Sequence, residues 1–273
     1  MVDLPVGAYE RLVTVGLDRS LQPLDRDLVR RVPLDAADAH EVLSRHIAAL
    51  TRQALRAVPG QDVERLVRQV EVANRIAAAI TALLPQAVEA DDLIAASHDL
   101  LTAIVERPPP PAQARFPARP EVPLASGALL VNGRGQPRIG TEVAREIASA
   151  DEVDLLCAFI KWHGVRLIED AVRSLIDRGG ALRVITTTYL GATDQRALDR
   201  LAELGAQIRI SYETRTTRLH AKAWLFRRAT GASTAYVGSS NLSKAALVDG
   251  LEVERAHLGA GAGTAAGHLP GHV

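Results

Sequence analysis

The sequence predicts an α/β protein in which a helical N-terminal region precedes a domain with a mixed, largely parallel sheet. Up to residue 107, apolar side chains recur at steps of three and four residues, which is the period of an amphipathic helix. A proline-rich segment then interrupts the chain, and beyond it apolar strands alternate with helices. With 273 residues, 47% of them hydrophobic, the chain can bury a sizeable core.

The helical region covers residues 1–107, and its clearest helix is predicted over 62–84. Apolar residues along that segment form a single stripe at helical spacing. Similar stripes over 43–54 and 93–104 predict two further helices. Asp62 and Asp91 have the residue type and the position of helix N-caps. Nothing in this region indicates a chemistry.

Residues 108–124 are predicted to link two domains. Four consecutive prolines begin at Pro108, and three more follow before residue 124. Proline lacks an amide donor and fixes its own φ, so neither a helix nor a central strand is expected here. We therefore divide the chain into a helical region (1–107), a linker (108–124), an α/β domain (125–257) and an atypical tail (258–273).

The α/β domain is predicted from the alternation of short apolar runs with amphipathic segments. The expected strands are 154–160, 182–187, 208–212, and the two arms of a hairpin, 220–226 and 234–237. The expected helices are 165–176, 194–204 and 241–247. Alternating strands and helices favour parallel pairing, with helices packed on the sheet.

Composition excludes several classes of protein. The formal net charge is zero, so a nucleic-acid site would have to be local. The single cysteine, Cys157, excludes an internal disulfide and is expected to be a buried strand residue. No apolar run is long enough to span a membrane, and the N-terminus does not resemble a signal peptide. We therefore expect a cytoplasmic protein that does not bind membranes.

The residues that carry chemistry lie on the predicted hairpin. His220 and Lys222 are two apart on one strand, so their side chains are expected on the same face. Ser239 and Asn241 follow the next strand, after a glycine that allows close approach of an anion. An imidazole can act as a nucleophile towards phosphorus, while an ammonium, a hydroxyl and an amide can hold phosphate oxygens. This arrangement needs no metal and no other cofactor.

This stretch resembles the phospholipase D superfamily, whose motif is His-x-Lys followed by Gly-Ser-x-Asn. The resemblance implies an α/β/α sandwich and a phosphohistidine intermediate formed on His220. It implies that Lys222, Ser239 and Asn241 bind the phosphate, and that Glu252 orients the histidine. Residues 129–252 are similar to the nuclease domains fused to bacterial DEAD/DEAH-type helicases and to related restriction endonucleases. No Gly-x-x-x-x-Gly-Lys-Ser/Thr loop is present, so no ATPase is predicted within this chain.

Two departures from the family pattern affect the interpretation. Arg227 stands where the family has an aspartate with a chiefly structural role. Only one His-x-Lys motif is present, whereas a complete site in the superfamily uses two histidines. Members with one motif pair two identical subunits, so a homodimer with the site at its interface is expected. The Gly- and Ala-rich tail is interpreted as a frameshifted or truncated end of a longer protein.

Three functional hypotheses remain open. The first is a metal-independent nuclease acting on DNA as a module of a helicase or restriction system. Local positive charge is expected from the arginines around the site, namely Arg209, Arg215, Arg218, Arg227 and Arg228. The second is a lipid phosphodiesterase, and the third is a non-catalytic nucleic-acid-binding module with a degenerate site. His163, beside Trp162, is a further candidate for lining a substrate groove.

Overall fold

The structure is a computed structural model in which two compact units, Met1–Thr102 and Ala103–Val273, are distinguished. The residues it describes are 4–86, 90–96, 98–107, 109–111, 113–114, 116–130, 132, 138–213, 219–249 and 253–258. The N-terminal unit contains helices α1 (Val15–Leu21), α2 (Ala39–Ala57) and α3 (Asp62–Leu83). Helices α2 and α3 confirm two of the three predicted helices. Asp62 is the first residue of α3, and Gln61 is its N-cap.

The predicted helix over 93–104 is wrong. Its described residues form no helix, and Asp91 lies in a short 3₁₀ turn, Ala90–Asp92. The side-chain amide of Asn74 on α3 bonds the backbone of Ile94 in both directions, at 2.9 and 3.2 Å, which removes that peptide from a helical ladder. Leu100 and Ile104 are 80% and 84% exposed, so the apolar stripe has no surface to pack on. Without packing, a short amphipathic helix is marginal.

The second unit has the predicted α/β class. Its helices are α4 (Ile139–Ser149), α5 (Trp162–Asp177) and α6 (Gln195–Glu203). Its strands are β1 (Ala128–Leu130), β2 (Glu152–Cys157), β3 (Ala181–Thr187), β4 (Gln207–Ser211), β5 (Lys222–Arg227), β6 (Ser233–Gly238) and β7 (Val253–Leu258). A π-helical turn, Ala245–Asp249, stands where the short helix over 241–247 was expected. Helix α5 begins three residues earlier than predicted, so Trp162 and His163 are helical and not in a loop.

The seven strands form one mixed sheet in the order β1-β7-β6-β5-β2-β3-β4. Parallel pairing is confined to β2, β3 and β4, and the other pairs are antiparallel. The mixed character confirms the prediction, although the antiparallel part is larger than the sequence suggested. The reason is that the predicted hairpin β5–β6 is extended by β7, which pairs with both β6 and β1.

The hydrophobic core lies on one face of this sheet. Val153 and Leu155 of β2, Val184 of β3 and Phe226 of β5 are buried there with the apolar stripes of α4, α5 and α6. The opposite face carries the alternate residues, and Ile185 is 43% exposed there. In the described part of this unit, all three α-helices pack on the face that holds the core.

Candidate active site

His220, Lys222, Ser239 and Asn241 lie at one end of the central strands, where several loops leave the sheet. Strand β5 runs antiparallel to β2, with Lys222 opposite Cys157, the last residue of β2. Strand β6 returns beside β5 and ends at Gly238. The start of β5 and the end of β6 therefore meet at the carboxyl end of β2. We call this the site edge, and it comprises residues 157–162, 188–194, 219–222 and 238–244.

His220 and Lys222 are in direct contact, but the predicted strand 220–226 begins only at Lys222, so His220 precedes β5. The Lys222 Nζ atom lies 3.0 Å from Nδ1 and 3.1 Å from Nε2 of His220, and 2.9 Å from the His220 carbonyl oxygen. The ammonium can donate to the carbonyl and to whichever ring nitrogen carries no proton. Two of its three N–H groups are then used on His220, which leaves one for a phosphate oxygen.

The Lys222 side chain is buried, at 8% exposure, whereas His220 is exposed. No carboxylate in the described part of the chain lies within ion-pair distance of Lys222. A buried cation without a counter-ion is costly, because the neutral groups around it replace only part of its hydration. The site therefore favours the arrival of an anion at the Lys222 ammonium.

The aliphatic part of the Lys222 side chain lies on the sheet face that α4 covers. A small cavity of about 10 Å³ lies there between this side chain and Ile139 of α4, and it is also lined by Gly238 and Ser240. Ser240, at 8% exposure, was not among the predicted site residues. The alternation along β6 could have identified it, because Thr234, Tyr236, Gly238 and Ser240 follow at steps of two.

Ser239 and Asn241 follow the end of β6 at the site edge. Ser239 is exposed, and Asn241 is half-buried. The Asn241 Oδ1 atom accepts the backbone N–H of Phe159 at 3.3 Å, and it lies 4.0 Å from the Sγ of Cys157. An oxygen fixed in this way leaves the amide nitrogen of Asn241 as the group able to donate to an anion.

Cys157 is fully buried behind Asn241, as the sequence predicted. Its Sγ accepts the backbone N–H of Leu242 at 3.2 Å and donates towards the carbonyl of Phe159 at 3.3 Å. Burial raises the pKa of the Cys157 thiol. The side chain is therefore a neutral thiol that holds the Asn241 segment in place.

A glycine brings the start of α5 against that same segment. An added Cβ on Gly164 would lie 2.3 Å from the carbonyl oxygen of Leu242 and 2.7 Å from the amide nitrogen of Ser243. Lys161 also donates its backbone N–H to Leu242, at 2.8 Å. Residues 159–164 and 241–243 are therefore held together backbone to backbone. The sequence analysis missed this contact, because a single glycine in a helical pattern has many explanations.

Arg227 and Arg228 are not part of the site, which corrects the expectation that they supply charge for a phosphate backbone. They lie at the other end of β5, about 17–20 Å along the strand from Lys222. Arg227 pairs with Asp154 on the exposed face of the sheet. Arg228 is buried, and its guanidinium pairs with the carboxylate of Glu146 on α4. Both cations are neutralised there.

The remaining predicted residues have mixed outcomes. Arg209 is exposed on β4. Glu252, Arg215 and Arg218 lie outside the described residues, as do positions 259–273 of the tail. Residues 253–258 form strand β7. No group of three or more candidate metal ligands occurs among the described residues. The described helices also include none with the length and apolarity needed to cross a bilayer.

A match to a protein-family model agrees with the motif. Residues 143–255 match the family model described as "Cardiolipin synthase, PLD-like domain". A search of curated protein sequences found no match. Among solved structures, NucT from Helicobacter pylori is 18% identical, with a TM-score of 0.37, over 48% of this chain and 83% of its own. Nuc from Salmonella typhimurium, a phospholipase D family member, is 19% identical, with a TM-score of 0.37, over 49% of this chain and 83% of its own.

A third solved structure with a similar match is the yeast tyrosyl-DNA phosphodiesterase. It is 12% identical, with a TM-score of 0.34, over 48% of this chain and 31% of its own length. The family match spans α4 to β7 and so contains the site edge together with the His-x-Lys and Gly-Ser-x-Asn motifs. Residues 143–255 of this chain, less than half of its length, therefore match the model of a phospholipase D-like domain.

Proposed function

We propose that this protein is a metal-independent phosphodiesterase that cleaves DNA through a phosphohistidine intermediate on His220. The observation that carries the proposal is the buried Lys222 ammonium, which contacts His220 and has no carboxylate partner among the described residues. A phosphate diester supplies the missing negative charge at a position beside the imidazole. The preference for DNA rests on the resemblance of residues 129–252 to nuclease domains.

The chemistry has two steps. In the first, a ring nitrogen of His220 attacks phosphorus, so a P–N bond forms and one P–O bond breaks. The leaving oxygen takes a proton from His220 of the partner subunit. In the second, that partner histidine accepts a proton from water, the water oxygen attacks phosphorus, and the P–N bond breaks. Lys222, Ser239 and Asn241 hold the non-bridging oxygens throughout, and Glu252 orients the histidine.

The second histidine comes from a second copy of the chain in this proposal. The sequence has only one His-x-Lys motif, so one copy supplies the nucleophile and no general acid of the same kind. Pairing about a two-fold axis brings two His220 side chains to one phosphate. The homodimer is then the active species, and a monomeric variant that remains folded is expected to be inactive.

The position of the lysines supports a local anion site. Only three of the 32 basic residues are lysines, and all three (Lys161, Lys222 and Lys244) lie at the site edge. Lys161 pairs with Asp194 at 3.0 Å, and Lys244 is exposed. The edge therefore gathers positive charge in a chain whose net charge is zero. We place this activity in a helicase-associated or restriction system, with a cytoplasmic location.

A cleavage assay tests the proposal. Labelled DNA is incubated in EDTA with the wild type and with His220→Ala. The proposal predicts EDTA-resistant cleavage that the variant loses. Binding of DNA without cleavage by the wild type would favour the non-catalytic module. Hydrolysis of phospholipid vesicles, with DNA left intact, would favour the lipid phosphodiesterase, which the description of the matching family model keeps as the second candidate.

A further inference from the structure

A tryptophan at the site edge is stacked with an arginine just outside it, and neither belongs to the motif residues. Trp162 is the first residue of α5, and Arg196 is the second residue of α6. The guanidinium carbon of Arg196 lies 3.8 Å from the centroid of the indole ring, which is a close cation–π contact. Arg196 is exposed, and no carboxylate in the described part of the chain lies within ion-pair distance of it.

One aspartate fixes the position of the pair. The Asp194 Oδ2 atom accepts the backbone N–H of Trp162 at 2.9 Å, and Oδ1 accepts Lys161 Nζ at 3.0 Å. These two donors hold the pKa of the Asp194 carboxyl below its ordinary value. The Asp194 amide also bonds the carbonyl of Ile160 at 2.8 Å. The starts of α5 and α6 are therefore joined at a single residue, and the ring and the guanidinium are set in place before any ligand arrives.

The pair is also close to the reactive histidine. The ring of Phe159 lies edge-on to His220, with their centroids 6.3 Å apart. Trp162 follows Phe159 by three residues, so their Cα atoms are at most about 11 Å apart. The backbone N–H of Lys161, the residue before Trp162, donates to the carbonyl of Leu242, the neighbour of Asn241. Trp162 therefore follows a segment that contacts both His220 and the neighbour of Asn241.

Charge along the cleft between α5 and α6 changes with distance from the site edge. The cleft has a volume of about 640 Å³, and Trp162 and Arg196 line the end of it that is nearest the site edge. Glu169 and Glu203 follow seven residues further along their helices, so they lie about 10 Å further from the site edge. Both pair with Arg200. Arg166 also lines the cleft, but with Asp170 and Asp199 the carboxylates in this part outnumber the cations. A polyanion is therefore favoured along the edge and disfavoured deeper in the cleft.

We propose that Trp162 and Arg196 form a subsite for a nucleobase next to the scissile phosphate of a single strand. The base stacks on the aromatic and guanidinium planes, and Arg196 contacts the adjoining phosphate. The inference deepens the proposed function and rests on it for the substrate class. A base stacked in a duplex does not present its face, so single strands are bound in preference to duplex.

Paired variants separate this role from a merely structural one. Trp162→Ala and Arg196→Ala are compared with Trp162→Phe, which keeps an aromatic plane, and with Arg173→Ala. Arg173 is an exposed arginine on α5 that pairs with Glu169 and serves as the matched control. The measurements are the Kd for a short single-stranded oligonucleotide and for its blunt duplex, together with turnover of bis(4-nitrophenyl) phosphate, which has no base.

We expect Trp162→Ala to weaken single-strand binding by about 5- to 150-fold, the range found for loss of one stacked base. Trp162→Phe and Arg173→Ala should stay within about 2-fold of the wild type, and turnover of the small diester should be unchanged in all four. Single strand should quench the wild-type tryptophan fluorescence. Trp162→Phe should lose that quench, because Trp224, the second tryptophan, is buried.

Equal oligonucleotide binding by Trp162→Ala and Arg173→Ala, with small-diester turnover intact, would overturn the subsite and leave the enzyme proposal standing. Equal affinity for duplex and single strand would also overturn it. If the wild type cleaves nothing but binds single strands in a Trp162-dependent way, the enzymatic proposal fails and the subsite stands. Quenching by phospholipid vesicles alone would assign the pair to a membrane surface and contradict the subsite.

Discussion

The two ends of strand β5 use positive charge in opposite ways. At one end, Lys222 is buried beside an imidazole and a carbonyl, with no carboxylate near it among the described residues. At the other end, Arg228 is buried against Glu146, and Arg227 is paired with Asp154. A cation with its own carboxylate is part of the framework, whereas a cation without one is ready to bind an anion. Basic residues near a motif therefore do not by themselves indicate a binding surface.

The end of β5 that carries Arg228 is held by a hydrogen-bond network around the Glu146 carboxylate. Glu146 accepts from Arg228, from Thr234 at 2.9 Å and from the Tyr236 hydroxyl at 3.1 Å. All four residues are buried, so α4 is bonded to the hairpin β5–β6 inside the core. This network fixes the strands that carry the site.

The largest effect on stability is expected at this network. Arg228→Met removes the guanidinium that faces the buried Glu146 carboxylate, which should lower the free energy of unfolding by about 3–5 kcal/mol. Activity per folded molecule should be unchanged. Urea unfolding measures the loss. The double variant Glu146→Leu/Arg228→Met should recover part of the stability, and no recovery would show that packing, not charge, dominates here.

The opposite result is expected at the site end. Lys222→Met removes a buried cation that has no counter-ion among the described residues, so stability should stay the same or rise. Activity should fall by about 10²–10³-fold, as for loss of a group that stabilises transition-state charge. Inorganic phosphate should raise the Tm of the wild type and leave that of Lys222→Met unchanged. A large loss of stability in Lys222→Met would contradict the contrast between the two ends.

A smaller effect is expected where α5 meets the Asn241 segment. Gly164→Ala puts a Cβ into the backbone of Leu242, so something must shift, and overpacking of this kind costs about 1–3 kcal/mol. Because the displaced segment carries Asn241, kcat should fall as well. The control Gly179→Ala lies at the far end of α5 in open space and at positive φ, so any loss there is backbone strain without a change in kcat.

The smallest effect is expected at Arg227. Its pair with Asp154 is solvent-exposed, and such pairs contribute about 0–1 kcal/mol. Arg227→Gln should therefore lower stability by less than about 1 kcal/mol and leave cleavage unchanged. Parallel unfolding and cleavage assays test this. A clear loss of activity would mean that this position, where the family has an aspartate, affects the site from the far end of the strand.

Local patterns in the sequence were enough to predict the α/β class, the hairpin and the contact between His220 and Lys222. Each of these follows from a period of two or of 3.6 residues that survives folding. The helix over 93–104 had the right period and still failed, because Asn74 bonds the backbone of Ile94 and no surface buries the stripe. The spacing of apolar residues shows which side chains share one face of a helix. It does not show whether another element packs on that face.

Contacts between distant segments could not be predicted from the sequence. The bond from Phe159 to Asn241 joins positions 82 residues apart, and the close approach of Gly164 to Leu242 has no local signature. The pairing of Arg228 with Glu146 also depends on α4 crossing the sheet. These contacts decide which groups are neutralised and which remain available, and that distinction defines the candidate site.

Mixing wild-type protein with His220→Asn tests the central claim, that two copies of His220 act on one phosphate, most directly. The two proteins are refolded together at varied ratios, and EDTA-resistant cleavage is measured per total protein. If both histidines are required, activity follows the square of the wild-type fraction, leaving about one quarter at equal amounts. Activity in direct proportion to the wild-type fraction, about one half at equal amounts, would mean that each chain acts alone and would contradict the account.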